Sequence, residues 1–417
     1  MSDSYQFDVV VVGGGPAGLA AACAAAESGR AVALVDDTPW LGGQIWRGRE
    51  GRPTQALEWI ERFQSCGATV LDNTSVIAIP QGGVLMAEKN GRSCEIRYGK
   101  LVLATGAREL FLPFPGWTLP GIMGPGGMQA LVKNGWPVRD HRVVLAGSGP
   151  LLLAVAGGLR QHGAHVVSIA EQAPWSSVIR FGFGLLSHPS KLWQGAQMKA
   201  ALMGVPYRCG VWPVEAEGGD QVRCVTLTDG RKTWTEECHL FACGFGLVPN
   251  VELPLTAGCE LKDGFVRVNE WQATSVTGIY CAGEPTGIGG ADCALVEGQI
   301  AGYAASGQPA PAEALFIQRA AWHKFRAALA EAFALRPEVK RLAGEDTLLC
   351  RCEDVTFGRM RRHDNWRDAK LQTRCGMGPC QGRVCGAAAK EVLGWGMESV
   401  RPPVLPARIQ SLIQKPK

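Results

Sequence analysis

The sequence predicts an α/β protein with two strand-turn-helix domains, the second inserted in the first, and a small C-terminal helical domain that carries a cysteine cluster. Three observations predict it. Val9-Val10-Val11-Val12 runs into Gly13-Gly14-Gly15-Pro16-Ala17-Gly18 and an Ala-rich helix. A second copy follows at Arg142–Ala154, around Gly147-Ser148-Gly149-Pro150. Apolar strands ending in Thr105-Gly106 and in Gly283-Glu284 bracket that copy, as an insertion requires.

The first copy is Gly-x-Gly-x-x-Gly in full context. Gly13 lets the chain leave the strand sharply, Gly15 lets a pyrophosphate approach the backbone, and Gly18 lets helix and strand pack closely. Pro16 and Ala17 open the helix, whose N-terminus favours phosphate. The next strand, Ala31–Val35, ends at Asp36, 18 residues after Gly18, where an acid meets a ribose hydroxyl pair. Gly42-Gly43-Gln44 suits a loop passing over a flat polar ring system. Gly51–Ser65 has helical spacing, and Ala68–Ile79 and Val84–Tyr98 read as strands. Lys100–Ala104 is a buried strand that returns the chain to the first sheet at Thr105-Gly106.

Pro113-Phe114-Pro115-Gly116 and Leu119-Pro120-Gly121 mark the crossing into the second domain. There Gly147 and Gly149 repeat the turn and Glu171 ends the next strand. Leu152 stands in place of the third glycine, so two readings stay open: a bound NAD or adenine nucleotide, or a structural remnant of duplication. Strands Gln221–Thr228 and Thr233–Ala242 close this domain. The helix Ala291–Ser306 follows Gly283-Glu284, with Glu284 placed to accept hydrogen bonds from a ribityl chain and the helix N-terminus aimed at a ring carbonyl. Residues 311–345 have the spacing of a helix pair.

The tail carries Cys350-Arg351-Cys352, a spacer of 22 residues, then Cys375-x4-Cys380. Four thiolates from two short loops hold a [2Fe–2S] cluster or a zinc ion, and C-x-C is awkward for one tetrahedral ion. Cys385, one helical turn further on, reads as packing. The fifteen cysteines are odd in number and ten lack pattern, which predicts a reducing cytoplasm. The net charge of +4 is too small to argue for nucleic acid. From Pro311 onward, 19 Lys+Arg face 11 Asp+Glu. This basic tail is either a docking face for an acidic partner or a solvated surface. Met1-Ser2-Asp3 lacks a basic leader, and the uncharged runs Val9–Ala26 and Val143–Leu159 read as strand-turn-helix rather than as membrane spans.

These motifs resemble the pyridine nucleotide-disulfide oxidoreductase superfamily over the first 310 residues. The resemblance implies FAD in the interrupted first domain and NAD(P) in the inserted one. Gly13, Gly15 and Gly18 would then hold the FAD pyrophosphate and Asp36 the adenosine ribose. Gln44 would lie near the flavin, Thr105 and Gly106 near the adenosine or pyrophosphate, and Glu284 on the ribityl chain, where the family usually has Asp. The tail resembles bacterioferritin-associated-ferredoxin-type [2Fe–2S] domains, which implies Cys350, Cys352, Cys375 and Cys380 as ligands. Gly43-Gln44-Ile45-Trp46 and Cys375-Gly-Met-Gly-Pro-Cys380-Gln-Gly-Arg narrow the likeness to the A or alpha subunits of opine oxidases and of proline and hydroxyproline dehydrogenases, and to the B subunit of hydrogen cyanide synthase.

The resemblance implies an organisation of 1–112 and 251–310 for FAD, 113–250 for an NAD(P)-like domain, 311–345 as linker and 346–417 for the cluster. It implies a second flavoprotein subunit that oxidises an amino or imino acid, admits a small further subunit, and sends electrons to a respiratory acceptor. It fits a cytoplasmic position and leaves a peripheral place at the inner face of the membrane open. The flavin-side segments lack the closely spaced cysteine pair of a disulfide reductase, Cys281 and Cys293 being too far apart, and no His–acid pair stands out as a general base. The expected role is an electron-transfer subunit. A stand-alone NAD(P)H-dependent FAD reductase and a non-enzymatic redox-sensing protein are the alternatives.

Overall fold

The computed structural model describes residues 3–47, 53–396 and 400–413. The chain forms two compact units. Unit 1 comprises Met1–Arg108, Pro249–Ala327 and Ser399–Lys417, and unit 2 comprises Glu109–Val248 and Ala328–Glu398.

Unit 1 is organised by a seven-stranded sheet. Asp3–Val12 lies in its middle, parallel to Val32–Val35 on one side and to Arg92–Leu103 on the other. The four valines Val9–Val12 are all buried because both faces of a parallel sheet are covered. Ile279–Cys281 pairs in parallel with the end of Arg92–Leu103, so the chain does return to the first sheet after the insertion. The helix Pro16–Glu27 covers one face and packs on Gly290–Ala305 through small residues. A Cβ on Gly298 would lie 2.1 Å from the Ala17 carbonyl oxygen, and one on Gly302 would lie 2.3 Å from that of Ala21. Residues 400–413 come back to this unit, where the Val404 N–H donates to the Ile77 carbonyl at 2.8 Å and the Arg408 N–H donates to Glu88 at 2.7 Å.

Unit 2 holds a parallel five-stranded sheet in the order Tyr207–Cys209, His165–Glu171, Arg142–Gly147, Leu240–Gly244, Ile122–Met123. An antiparallel sheet of Trp212–Gly218, Val222–Thr228 and Thr233–Glu237 accompanies it. The C-terminal helices Trp366–Thr373 and Cys385–Leu393 bury Trp366, Ala369, Cys385 and Ala389 in a core of their own. That core is tethered within the unit. Trp117 Nε1 donates to the Leu348 carbonyl at 2.6 Å, and Lys340 pairs with Glu391 at 2.8 Å.

Several elements differ from the sequence expectation. Ala68–Ile79 is two strands, Thr69–Leu71 and Thr74–Gln81, because Asn73 takes a left-handed φ of 46°. Val84–Tyr98 contains a hairpin that turns at Asn90-Gly91, both at positive φ, an Asn-Gly signal for a tight turn. Thr233–Ala242 divides between the antiparallel and the parallel sheet. The helix of Gly51–Ser65 is described from Thr54, and residues 51–52 lie outside the described residues. The helix pair of 311–345 is one short helix, Pro309–Glu313, and one long helix, Phe316–Ala332. Pro337 disfavours helical backbone at Arg336, so the chain after Ala332 runs without further α-helix to Thr347. One Cys-x4-Cys pair, Cys238 and Cys243, does occur before residue 310, but both thiols are buried along or beside the strand Leu240–Gly244. Extended chain of that length spans roughly 15 Å, which no disulfide bridges. All fifteen cysteines are free, and among the described residues no helix is long and apolar enough to cross a membrane.

Candidate functional site

The first crevice is built on the Gly13–Gly18 loop. Gly13 sits at φ 110°, and a Cβ there would lie 2.2 Å from the Ala104 carbonyl oxygen. A Cβ on Gly18 would lie 1.7 Å from the Gly13 carbonyl oxygen, so helix and strand are in backbone contact. Gly15 is different: the one atom near its Cβ position is the Gly43 Cα, at 4.0 Å. No side chain caps the helix Pro16–Glu27, so the N–H groups of its first turn, Ala17 and Gly18 included, are left for a ligand. Asp36 anchors the turn, accepting from the Gly14 N–H and from the Thr38 N–H and hydroxyl at 2.8 and 2.6 Å. The Gly42 N–H donates to the Gly14 carbonyl at 2.8 Å and fixes the Gly43-Gln44 loop beside the turn, with Gln44 exposed. Thr105 Oγ1 donates to the Asn250 carbonyl at 2.6 Å, and the Asn250 N–H donates to the Gly106 carbonyl at 2.9 Å. These residues fit FAD: an uncapped helix N-terminus and an open cradle at Gly15 lie beside an acid at the end of the second strand.

The Gly283-Glu284 turn abuts this loop, since a Cβ on Gly283 would lie 2.9 Å from the Ala17 Cβ. Glu284 accepts from the N–H groups of Gly289 and Gly290 at 3.1 and 3.0 Å. The carboxylate therefore caps the helix Gly290–Ala305, a reach that the extra methylene of Glu over Asp supplies. Burial pushes its carboxyl up to about 7, against the two backbone donors that hold it down.

Sequence reasoning missed what holds this turn in place. Glu297 is fully buried, and its Oε2 accepts from the Gly283 N–H at 2.9 Å and from Thr286 Oγ1 at 2.8 Å. His323 Nε2 lies 2.9 Å from Glu297 Oε1 and Arg326 Nη1 lies 3.5 Å from it. Cys293 joins the group, its thiol raised by burial and by Glu297. The available signal was a lone Glu in the middle of an Ala/Gly-rich helix.

The second crevice has the same loop and a different environment. A Cβ on Gly147 would lie 1.7 Å from the Gly244 carbonyl oxygen, which repeats the close approach of the first copy. Gly149 is at φ 98° with open space at its Cβ position. Leu152 fills the place of the third glycine as a core residue. Glu171 is fully buried, accepts from the Gly149 N–H at 2.7 Å and the Ala173 N–H at 2.8 Å, and is pushed by burial to about 7.

The cysteines of the tail converge. The sulfurs of Cys350, Cys375 and Cys385 all lie within 4.8 Å of one another and are buried. Hydrogen bonds from the Cys375 and Cys385 thiols hold the Cys350 thiol down at about 2, and those two thiols are raised in turn by Cys350. The Cys380 N–H and thiol both bond to Cys352. Backbone N–H groups of Gly376 and Glu353 point at the Cys350 sulfur. Cys385, expected as packing alone, is thus a full member of a five-thiol group, because Gly386 N–H bonding to the Gly382 carbonyl at 2.7 Å starts its helix with the thiol turned inward. A buried set of thiols with backbone donors aimed at sulfur and no carboxylate among them fits an iron–sulfur cluster or zinc.

The pyridine nucleotide-disulphide oxidoreductase family matches residues 7–305. Hydrogen cyanide synthase subunit HcnB of Pseudomonas aeruginosa is 34% identical, over 90% of each chain. The A subunit of the opine oxidase of Rhizobium meliloti is 31% identical, over 96% of this chain and 97% of its own. Among solved structures, L-proline dehydrogenase from P. horikoshii superposes with a TM-score of 0.68 at 19% identity, covering 99% of this chain and 81% of its own. T. acidophilum thioredoxin reductase superposes with a TM-score of 0.57 at 22% identity, over 73% of this chain and 99% of its own.

Proposed function

Since the chain belongs to the pyridine nucleotide-disulphide oxidoreductase family, and is a flavoprotein oxidoreductase related to HcnB and to the A subunit of opine oxidase, we propose that it is the electron-transfer subunit of a hetero-oligomeric amino- or imino-acid dehydrogenase. The observation that carries this reading is the five-thiol group on the same chain as the open glycine cradle. Both curated relatives are named as subunits, which supports a partner. That partner is a second flavoprotein subunit that oxidises a CH–NH or CH–NH2 donor, with a respiratory carrier as the electron sink.

FAD, when bound, exchanges an electron pair or single electrons, and a [2Fe–2S] cluster exchanges one electron at a time. The chain's own residues bind and orient these groups. Gly13, Gly15 and Gly18 with Pro16 and Ala17 take the pyrophosphate. Asp36 takes the ribose, Gly43 and Gln44 lie along the flavin, and Thr105, Gly106, Gly283 and Glu284 complete the pocket. Cys350, Cys352 and Cys380 hold the cluster with a fourth thiol from Cys375 or Cys385, which flank Cys350. Leu349, Met360 and Trp366 keep water from the sulfurs.

The test is absorbance and low-temperature EPR of anaerobically purified protein before and after dithionite. Flavin bands together with the signal of a reduced two-iron cluster are the expected result. Flavin with stoichiometric zinc and no such signal would overturn the relay. Full amine turnover by the chain alone would overturn the division of labour.

A further inference from the structure

The second glycine-loop crevice is filled by the chain itself. The segment 333–336, which leaves the helix Phe316–Ala332, lies across the carboxyl ends of the strands Arg142–Gly147 and His165–Glu171. Ser148 Oγ donates to the Phe333 carbonyl at 3.0 Å. Gln172 follows the strand-end acid directly and is fully buried. Its Nε2 donates to Ser148 Oγ at 2.9 Å and to the Ala334 carbonyl at 3.1 Å, and its Oε1 accepts from the Arg336 N–H at 3.0 Å. Every polar group of Gln172 is thereby engaged. The Phe333 ring meets Phe181 edge-on at 5.5 Å, and the Arg336 guanidinium lies 4.2 Å over the Trp212 ring.

A ligand of such a sheet belongs outside these carboxyl ends, with its adenosine against the strand-end acid. We infer that the Phe333–Arg336 strap permanently occupies the adenosine half of this site, so that the inserted domain binds no NAD(P) and instead seats the segment that carries the thiol group. The family implies a nicotinamide nucleotide here, and the residues present do not fit one. Glu171 has no exposed edge to offer a ribose, and both its oxygens accept backbone N–H groups. The strap is no mobile lid: Leu335, Val339 and Leu342 just beyond it pack into the core around Phe241 and Trp212. Extended backbone ahead of Pro337 gives the strap the free carbonyl and N–H groups that a helix would have spent internally. The uncapped N-terminus of the helix Leu151–Gln161 remains open to a lone phosphate, but a dinucleotide also needs the filled half.

The test is hydrogen exchange by mass spectrometry on the full FAD-saturated chain, alone and with NADH, NADPH or ATP at millimolar concentration. FAD saturation keeps these probes out of the first crevice. The expected result is that the peptide covering 331–337 is as protected as the strand Arg142–Gly147, and that no nucleotide alters it or the peptides covering 147–152 and 171–173. Anaerobic NADH leaves the flavin oxidised. Gln172→Ala, which cuts three strap contacts, should speed exchange of 331–337 by roughly tenfold without releasing FAD. Saturable nucleotide binding with altered exchange at 147–152 or 171–173 overturns the inference, as does rapid exchange of 331–337 in the unaltered chain. These outcomes are read from amides and flavin colour, so they stand apart from whether the thiols hold a cluster.

Discussion

The two crevices begin from one pattern and end in opposite states. At Gly15 the Cβ position faces open space, Gln44 is exposed, and the helix behind it has an uncapped N-terminus. At Ser148 and Gln172 the equivalent ground is occupied by the carbonyls of Phe333 and Ala334 and the N–H of Arg336. A glycine loop therefore reports how the backbone turns, and what lies over it decides whether a ligand enters. The strand-end acids show the same divergence. Asp36 keeps an exposed rim beside Thr38, whereas Glu171 has none.

The comparison can be broken or sharpened by experiment. The largest effect is expected from Cys350→Ser, which removes the thiol contacted by both Cys375 and Cys385. Cluster absorbance and the EPR signal should vanish while flavin content and strap protection persist; loss of flavin as well would mean that the two sites are not separable. Next is Gly15→Ala. Its φ of −75° suits alanine and its Cβ meets no clash, so the fold should survive while FAD affinity drops by about a hundredfold, measured by flavin retention on dilution. Unchanged affinity would show that the open cradle is not where the pyrophosphate lies.

A third effect is one of pH. The Glu171 carboxyl is raised from 4.5 to about 7 by burial. Between those values the folded chain keeps a proton that the unfolded chain has lost, so stability should fall as pH rises through this window and level off above it. The span corresponds to roughly 3 kcal/mol. Glu171→Gln should flatten the profile in denaturant titrations of unit 2, and a wild-type profile that is already flat would remove Glu171 as its source. The smallest effect belongs to Gly149→Ala, where a φ of 98° costs about 1–2 kcal/mol in thermal stability. Flavin content should not change, in contrast to Gly15→Ala.

Much of this architecture was legible because it rests on local pattern. Val9–Val12 and Gly13–Gly18 announce a buried parallel strand and a tight turn within a few residues, and Arg142–Ala154 repeats the announcement. The returns at Thr105 and Gly283 were readable for the same reason. What stayed hidden depends on partners far along the chain. Glu297 meets His323 on another helix, and nothing in the spacing links them. The strap has no periodicity, and its role comes from Gln172, more than 160 residues earlier. Cys385 was misjudged because two overlapping C-x4-C spacings, Cys375–Cys380 and Cys380–Cys385, cannot be ranked until the turn between them is known. Glu284 was read as a ligand-facing acid, and its cap on Gly289 and Gly290 depends on side-chain length alone.

Residues 400–413 lie against the strands Thr74–Gln81 and Val84–Lys89 of the first unit, with Val404 buried in its core and Arg408 held by Glu88. A ribosome delivers those strands early and this clasp last. The flavin-side unit consequently waits, one core position short, until the whole thiol-bearing segment has been made. A chain cut off before residue 400 leaves the apolar seat of Val404 bare, and such a fragment offers a protease or chaperone a mark that the finished protein hides.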